Sequence, residues 1–280
     1  MKTRSSLLTH SAACTPAEVF DVVVLGGGPA GVVCACELVQ QGCRVVLIEA
    51  GGGTERIEGL SPRVVQLLQQ RGLAPALQAV TERLPRQVYW GEWPGAGQAE
   101  ASANGEHLVR RPYFDQLLRE QAVARGVSLL QGRVRDYAAP LHQLASVRLA
   151  DGRCIRAGFV LDARGRRGQS GRQQWRAPAS VAVSAWLQGL EMTPGTRIQA
   201  LEQGWLWQAR AAADEAVWVQ WVQDARALAA DSSGPEAVLL AAVQAAGGGQ
   251  VRLANRGAGR RPGWWCALRI FDCSCRILMV

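Results

Sequence analysis

The sequence predicts an α/β fold in which a strand, a helix and a second strand are followed by a largely antiparallel sheet. Three observations support this prediction. Residues 22–38, VVVLGGGPAGVVCACEL, place three consecutive glycines between two apolar stretches. Residues 144–162 have the pattern of a β-hairpin that turns at Asp151-Gly152. Residues 205–221 carry four tryptophans on two stretches that are predicted to be paired strands.

Composition narrows the class of protein. The chain has 280 residues, enough for one large domain or two smaller domains with a buried core. It has no apolar run long enough for a membrane span, and residues 1–20 lack a signal-peptide pattern, so the sequence predicts a cytoplasmic protein. The net charge of +8 comes almost entirely from arginine, because Lys2 is the only lysine. This skew indicates GC-rich coding, and without nucleic-acid recognition motifs no nucleic-acid partner is predicted.

The eight cysteines are predicted to be reduced thiols and not metal ligands. None of them forms a CxxC pair, and the two C-x-C pairs have no histidine or cysteine at ligand spacing. Cys34 and Cys36 fall in a predicted helix, where residues two apart point to different sides. No metal site is therefore expected.

The glycine-rich stretch is predicted to lie inside a βαβ unit. Residues 20–25 are rich in valine, as is typical of a strand buried on both faces. Residues 30–41 hold mostly helix formers, and Gly42 ends them. The stretch CRVVLIEA, residues 43–50, is predicted to be a second buried strand. Strand, glycine turn, helix and strand within about thirty residues form a Rossmann-like unit.

Within this unit, Gly26-x-Gly28-x-x-Gly31 has the spacing of a dinucleotide-binding turn, and Glu49 ends the second strand. Gly26 permits the tight turn, Gly28 lets the backbone approach a pyrophosphate, and Gly31 lets helix and strand pack closely. The free N–H groups of the helix would face the phosphates. Glu49 would accept hydrogen bonds from the adenosine ribose hydroxyls and repel a 2′-phosphate. An ordinary glycine loop would not require a strand, a helix, a second strand and a terminal acid in this order. The sequence therefore predicts a bound dinucleotide.

The turn GGGPAG, which contains Ala30 and is followed four residues on by Ala35, resembles the FAD-binding turn of flavoprotein hydroxylases and their relatives. The segment VRRPYFDQLLREQAVARGV, residues 109–127, resembles the R-x-x-F-D segment of those enzymes. The resemblance implies that Arg111 opens a helix beside the flavin dinucleotide. Apolar residues at helical spacing also make this stretch an ordinary amphipathic helix. Together these features imply a Rossmann-like FAD-binding domain of the glutathione-reductase type, with an antiparallel β-sheet substrate domain.

A second segment, FVLDARGRRGQS at residues 159–170, follows the predicted hairpin. It resembles the D-A-x-G-R segment that touches flavin in these families, which implies that Asp162 and Gly165 contact the cofactor. The alternative is a basic surface loop in which Arg164 and the arginines after it are solvated. A third family segment, G-D-A followed by a D-P region, is not found in the chain.

The resemblance narrows to tryptophan-halogenase-like flavoproteins, through EGLSPRVVQLLQQRGL at residues 58–73 and GWLWQARAAADEAVWVQWV at residues 204–222. Within that group the stretches look closest to the maturation flavoproteins of quinone-cofactor amine oxidases and dehydrogenases. Residues 205–210 depart from the halogenase W-x-W-x-I-P motif, and no lysine beyond Lys2 exists to capture hypohalous acid. Halogenation by the usual route is therefore excluded.

The resemblance implies an FAD-dependent monooxygenase that hydroxylates an aromatic substrate by way of a flavin hydroperoxide. The substrate would be a small aromatic molecule or a peptidyl tryptophan, the electrons would come from reduced flavin or NAD(P)H, and a flavin reductase would be a partner. No individual catalytic residue is identified. The four tryptophans of residues 205–221 are either an ordinary sheet core or the floor between flavin and substrate.

Two alternatives stay open. One is a double-bond reductase of the geranylgeranyl reductase type, and the other is a catalytically incomplete FAD-binding fragment. The sequence after about residue 245 lacks family character, which predicts either a truncated or frameshifted chain or a divergent tail. The predicted domains are an FAD-binding domain at 20–176 with a helical insertion, a partial substrate domain at 177–245 and an atypical tail at 246–280. Residues 1–18 and the tail are expected to be poorly ordered.

Overall fold

The computed structural model of the chain describes residues 19–53, 55–89, 100–165, 168, 178–254 and 269–271, with the backbone alone for 100–104 and 269–271. The expectation for residues 1–18, and that for most of the tail, lie outside the described residues. Contacts divide the described chain into two units. The first unit contains residues 19–52 and Ala122–Gly165, and the second contains residues 53–121 and those from 168 onward. The domain boundaries drawn from the sequence stay a prediction.

Fifteen strands and five α-helices are described. The strands are β1 Val19–Leu25, β2 Val45–Glu49, β3 Ile57–Leu60, β4 Leu84–Tyr89, β5 Glu100–Arg110, β6 Ser128–Gln131, β7 Val134–Ala138, β8 Ala145–Leu149, β9 Cys154–Asp162, β10 Ser180–Gln188, β11 Gly195–Leu201, β12 Gly204–Arg210, β13 Val217–Asp224, β14 Arg252–Leu253 and β15 Arg269–Phe271. The helices are α1 Pro29–Gln40, α2 Pro62–Gln70, α3 Arg111–Ala124, α4 Ala225–Ala230 and α5 Pro235–Ala245, with a 3₁₀ turn at Ala74–Ala79. None of the described helices is long and apolar enough to cross a membrane.

The first unit is built on a six-stranded sheet with the order β6-β2-β1-β9-β8-β7. β6, β2, β1 and β9 run parallel, whereas β9, β8 and β7 run antiparallel. The predicted βαβ unit and the predicted hairpin are both confirmed. Gly152 has a φ of +91° at the hairpin turn, and Gly42 has a φ of +83° just after α1. These are left-handed conformations that glycine adopts without steric cost.

Apolar residues on both faces of β1 explain why this strand lies in the middle of the sheet. Val23, Val24 and Leu25 are fully buried. Val23 and Leu25 pack with Val46 and Ile48 of β2 in one core cluster. Continuous burial of this kind is what a parallel strand covered on both faces requires, and it fixes the carboxyl ends of β1 and β2 side by side.

The second unit is built on a larger sheet with the order β14-β10-β13-β12-β11-β4-β5-β3, and β15 also pairs with β10. Its described strands are antiparallel except for β4 and β11, which run parallel. The predicted tryptophan-rich pair is confirmed as β12 and β13, with Trp207 opposite Gln220. One face of β10 and β13 is covered by α4 and α5, whose Leu228 and Leu239 join the core there.

Candidate functional site

The glycine turn between β1 and α1 leaves no room for side chains at two of its positions. Gly26 has a φ of +104°, and a Cβ added to it would lie 2.8 Å from the carbonyl oxygen of Ala163. A Cβ added to Gly31 would lie 2.0 Å from the carbonyl oxygen of Gly26. Real Cβ atoms do not approach this closely, so the turn folds against the end of β9 and the start of α1 only with glycine at both positions.

Gly28 and Ala30 form the entrance to α1. Gly28 is the residue before the helix, with extended backbone, and its carbonyl accepts a hydrogen bond from the backbone N–H of Val32 at 3.0 Å. It has no side chain with which to cap the helix, and Ala30 is exposed. An uncapped helix start presents backbone N–H donors and a partial positive charge, which suits a phosphate group.

Glu49 ties the end of β2 to the glycine turn. Its Oε2 accepts a hydrogen bond from the backbone N–H of Gly27 at 2.6 Å, and its Oε1 accepts one from the backbone N–H of Gly51 at 2.8 Å. The sequence predicts a ribose contact for this carboxylate but not these bonds to the protein. Each carboxylate oxygen has two lone pairs, so Glu49 retains capacity for a ribose hydroxyl.

Asp162 lies at the carboxyl end of β9, opposite Leu25 of β1. Because β2, β1 and β9 are parallel neighbours, their carboxyl ends bring Glu49, the glycine turn and Asp162 to one edge of the sheet. The backbone N–H of Ala163 donates to the carbonyl of Leu25 at 2.8 Å, which joins the two strand ends. Ligands of open parallel sheets bind at this edge.

Arg164 is not a solvated loop residue. Its Nε donates to Asp162 Oδ1 at 2.8 Å and its Nη2 donates to Asp162 Oδ2 at 2.5 Å. The guanidinium carbon also lies 5.7 Å from the centre of the Tyr137 ring. Gly165, the other residue expected to contact the cofactor here, has a φ of +60° with open space around it. The other arginines of this segment lie outside the described residues.

In the second unit, the start of α3 holds a compact charged cluster. The Arg111 guanidinium donates from Nε and Nη2 to the Asp115 carboxylate at 2.9 and 3.1 Å, and from Nη1 to Glu58. Burial alone would raise the pKa of Glu58, but Arg111 and Arg56 outweigh it and hold that pKa below its ordinary value. Arg111 therefore opens α3 as predicted, with its charge balanced by two carboxylates of the same unit.

The four predicted tryptophans divide by strand face and by exposure. Trp207 and Trp218 share one face of the sheet and are 8% and 4% exposed. Trp221 is buried on the opposite face and donates from Nε1 to Gln223. Trp205 lies on the same face as Trp207 but is 42% exposed. Three of the four are therefore core residues, and Trp205 alone presents its indole to solvent.

A fifth tryptophan, which the sequence analysis missed, completes this cluster. Trp186 on β10 lies opposite Trp218 in the register, with 5.3 Å between the ring centres in an edge-to-face arrangement. The guanidinium of Arg110 lies 5.3 Å from the Trp186 ring. Only the pairing of β10 with β13 reveals this contact.

No cluster of histidine, cysteine, aspartate or glutamate in the described part of the chain could hold a metal ion. Cys34, Cys36, Cys43 and Cys154 have free thiols. Burial raises the pKa of the Cys36 thiol, despite the opposing charge of Arg125.

Comparison of the sequence with known proteins also indicates a dinucleotide-binding protein. A family model described as "FAD binding domain" matches residues 19–188. The chain is 32% identical over 159 residues to a rifampicin monooxygenase from Streptomyces venezuelae, covering 53% of this chain and 32% of that protein. It is 32% identical over 114 residues to digeranylgeranylglycerophospholipid reductase 1 from Methanopyrus kandleri, covering 39% of this chain and 29% of that protein.

A solved structure extends the likeness beyond the matched family segment. The peptidyl tryptophan dihydroxylase QhpG, described as essential for tryptophylquinone cofactor biogenesis, superposes with a TM-score of 0.62 at 28% identity. The superposition covers 84% of this chain and 56% of that one. The chain thus spans about a third of the curated relatives it matches and about half of this structure.

The family match covers more than half of the chain and includes both β1, with its glycine turn, and β9. The two glycine positions where a Cβ would collide with backbone form a cradle of the kind a dinucleotide needs. The resemblance to FAD-dependent flavoproteins is therefore confirmed, FAD is the cofactor, and the chain belongs to the FAD binding domain family.

Proposed function

We propose that the chain is an FAD-dependent monooxygenase that hydroxylates an electron-rich aromatic ring, with a peptidyl tryptophan as the favoured substrate. The observation that carries the proposal is the glycine turn, closed against Ala163 and tied to Glu49. The likeness to a rifampicin monooxygenase and to a peptidyl tryptophan dihydroxylase supports the reaction class and the kind of substrate.

In this proposal the backbone of Gly26, Gly28, Ala30 and Gly31 holds the pyrophosphate of FAD. Bound, reduced FAD supplies the chemistry that activates oxygen for transfer to an aromatic ring. The protein binds and orients it and keeps water away, so no acid–base pair is required from the chain itself.

The remaining predicted site residues contact other parts of FAD. Glu49 accepts from the adenosine ribose hydroxyls with its remaining lone pairs. Asp162 and Gly165 lie on the flavin side of the dinucleotide. Arg111 opens α3 and is paired with Glu58 and Asp115, so its expected contact with FAD stays a prediction.

Trp205 supports an aromatic substrate. Its register neighbours on the same sheet face are Ala200 of β11 and Val222 of β13, both shorter than an indole. The Trp205 ring therefore projects beyond its neighbours, and a partly exposed indole offers a flat surface for an aromatic ring. The buried Trp207 and Trp218 support that surface from the same face.

A coupled oxygenation assay tests the proposal. The protein is combined with FAD, NADH, a flavin reductase and a tryptophan-containing peptide, and oxygen uptake is followed with peptide mass. We expect the peptide to gain oxygen in proportion to the oxygen consumed. Hydrogen peroxide formed without any change in peptide mass would contradict the proposal.

The reductase alternative is favoured by the likeness to a digeranylgeranylglycerophospholipid reductase. The same glycine turn would serve that reaction, so only the substrate distinguishes the two. Turnover of an isoprenoid alkene in the absence of oxygen would favour the reductase. If the chain binds FAD but turns over neither substrate, it is an FAD-binding fragment without activity of its own.

The proposal includes a cytoplasmic location and a separate flavin reductase as the source of electrons. The free thiols of the described cysteines fit a reducing compartment. A flavin reductase delivers reduced flavin without a nicotinamide site on this chain. Comparing oxygen uptake with and without that enzyme tests the second point.

A further inference from the structure

We propose that Arg164 and Tyr137 are positioning residues, which hold the Asp162 carboxylate in place for its contact with FAD. The inference rests on the assignment of Asp162 to the cofactor site in the proposed function. It concerns two side chains that the sequence motif does not mark. Arg164 occupies the variable position of D-A-x-G-R, and Tyr137 comes from a different strand.

The contact between Asp162 and Arg164 fixes the orientation of the carboxylate. Asp162 Oδ1 accepts from Arg164 Nε at 2.8 Å and from the Arg164 backbone N–H at 3.2 Å, and Oδ2 accepts from Nη2 at 2.5 Å. A guanidinium that donates two parallel bonds aligns its plane with that of the carboxylate. The Arg164 and Asp162 side chains are only 16% and 13% exposed. Water therefore competes little for these bonds.

Tyr137 contacts Arg164 of this pair from a different part of the sheet. It lies on β7, two strands away from β9 in the sheet, and its ring faces the Arg164 guanidinium at 5.7 Å. Burial, and then the negative charge of Asp162, raise the pKa of the Tyr137 hydroxyl. The hydroxyl therefore keeps its proton beside the Asp162 carboxylate. Asp162 thus lies between Arg164, which follows the end of β9, and Tyr137 of β7.

The backbone that carries Asp162 and Arg164 is also fixed relative to the glycine turn. A Cβ on Gly26 would lie 2.8 Å from the carbonyl oxygen of Ala163 and 3.1 Å from the Cα of Arg164. The backbone that carries Asp162 and Arg164 therefore packs directly on the turn that is proposed to hold the pyrophosphate. Asp162 without Arg164 would leave a bare negative charge beside an anionic group, so Arg164 both orients and neutralises it.

A double-mutant cycle tests whether Arg164 acts through Asp162. The variants are Arg164→Gln, Asp162→Ala and the double variant, and the dissociation constant of FAD is measured by flavin fluorescence well below each melting temperature. We expect Arg164→Gln to weaken FAD binding about tenfold, the usual effect of losing a charge-assisted hydrogen bond. In the Asp162→Ala background the same change should have almost no further effect.

Three further variants sharpen the test. Arg164→Lys keeps the charge but cannot donate two parallel bonds, so we expect it to restore only part of the affinity. Tyr137→Phe should weaken FAD binding about threefold and, like Arg164→Gln, shift the visible absorption band of the bound flavin. Arg148→Gln is the matched control, because Arg148 pairs with Asp136 in the same unit but is 67% exposed. It should leave both the affinity and the band unchanged.

The outcomes separate this inference from the proposed function. If Arg164→Gln weakens FAD binding equally with and without Asp162, Arg164 contacts the cofactor itself and the inference is overturned. If Asp162→Ala binds FAD normally, both the assignment of Asp162 and the inference fail. If the cycle behaves as expected but no aromatic substrate is hydroxylated, the proposed function fails and the positioning role stands.

Discussion

The candidate function of the first unit depends on its backbone, whereas that of the second unit depends on its side chains. In the first unit the decisive feature is backbone, since Gly26 and Gly31 matter because a Cβ would collide with neighbouring carbonyls. In the second unit the decisive features are side chains, since Trp186, Trp207 and Trp218 meet only because their strands pair. A site built from backbone has a few glycine positions at which almost no other residue is tolerated. A side-chain surface tolerates substitution in proportion to how much of each side chain is exposed.

The largest expected effect is that of Gly31→Val in the first unit. The new Cβ would lie 2.0 Å from the Gly26 carbonyl oxygen, and because that oxygen belongs to the backbone, helix and turn must separate. We expect a loss of at least about 3 kcal/mol in the free energy of unfolding, and no measurable FAD binding. Denaturant unfolding and FAD titration measure the two effects.

Gly42→Asn is the control for this prediction. Gly42 differs from the helical Gly31 in having a positive φ, no atom of the described residues lies within 4 Å of a Cβ added there, and asparagine tolerates the left-handed conformation. We expect a cost below about 1 kcal/mol and normal FAD affinity. Equal losses in Gly31→Val and Gly42→Asn would contradict close packing as the reason for glycine at position 31.

The second prediction compares two tryptophans of the second unit. Trp218 is 4% exposed and packs on Trp186, so Trp218→Ala should cost about 3–5 kcal/mol of unfolding free energy. Trp205 is 42% exposed, so Trp205→Ala should cost about 1 kcal/mol or less. The same variant should weaken binding of a tryptophan-containing peptide. Equal stability losses would contradict the division of these tryptophans into core and surface.

The features that the sequence could predict are those that depend on neighbouring residues. The βαβ unit, the helix at Arg111, the hairpin at Asp151-Gly152 and the tryptophan-rich strand pair are local patterns, and the structure confirms them. Periodicity and turn residues act over a few neighbouring positions, so they are visible in one sequence. The contacts to FAD expected of the site residues stay a prediction.

The contacts that the sequence analysis missed join distant stretches. Tyr137 meets Arg164 through the order of β7, β8 and β9, and Trp186 meets Trp218 through the pairing of β10 with β13. The parallel pairing of β4 with β11 joins segments more than a hundred residues apart. Strand order and register depend on the packing of the whole sheet. No local sequence pattern predicts strand order or register.

Glu49 tests whether the backbone site also depends on one side chain. Glu49→Gln keeps the size but removes the charge that two backbone N–H groups bond, at 2.6 and 2.8 Å. Losing a charged acceptor usually costs about 1–3 kcal/mol, so FAD should bind roughly ten- to a hundredfold more weakly. ADP used as a competing ligand should lose affinity by the same factor, because the change concerns the adenosine end. Unchanged ADP binding would contradict a ribose contact for Glu49.

The smallest expected effect concerns Glu58 and the pH dependence of stability in the second unit. Arg111 and Arg56 hold the pKa of Glu58 below its ordinary value of 4.5, against the opposing effect of burial. The folded protein therefore binds fewer protons than the unfolded chain just below that pH, and stability falls as the pH falls through this interval. Glu58→Gln should be less stable than the wild type near neutral pH, and the difference should shrink near pH 3, which denaturant unfolding at both pH values measures. Glu191→Gln is the control, because Glu191 is exposed and forms no ion pair in the described part of the chain. A difference between wild type and Glu58→Gln that stays constant with pH would show that Arg111 does not hold Glu58 in its charged form.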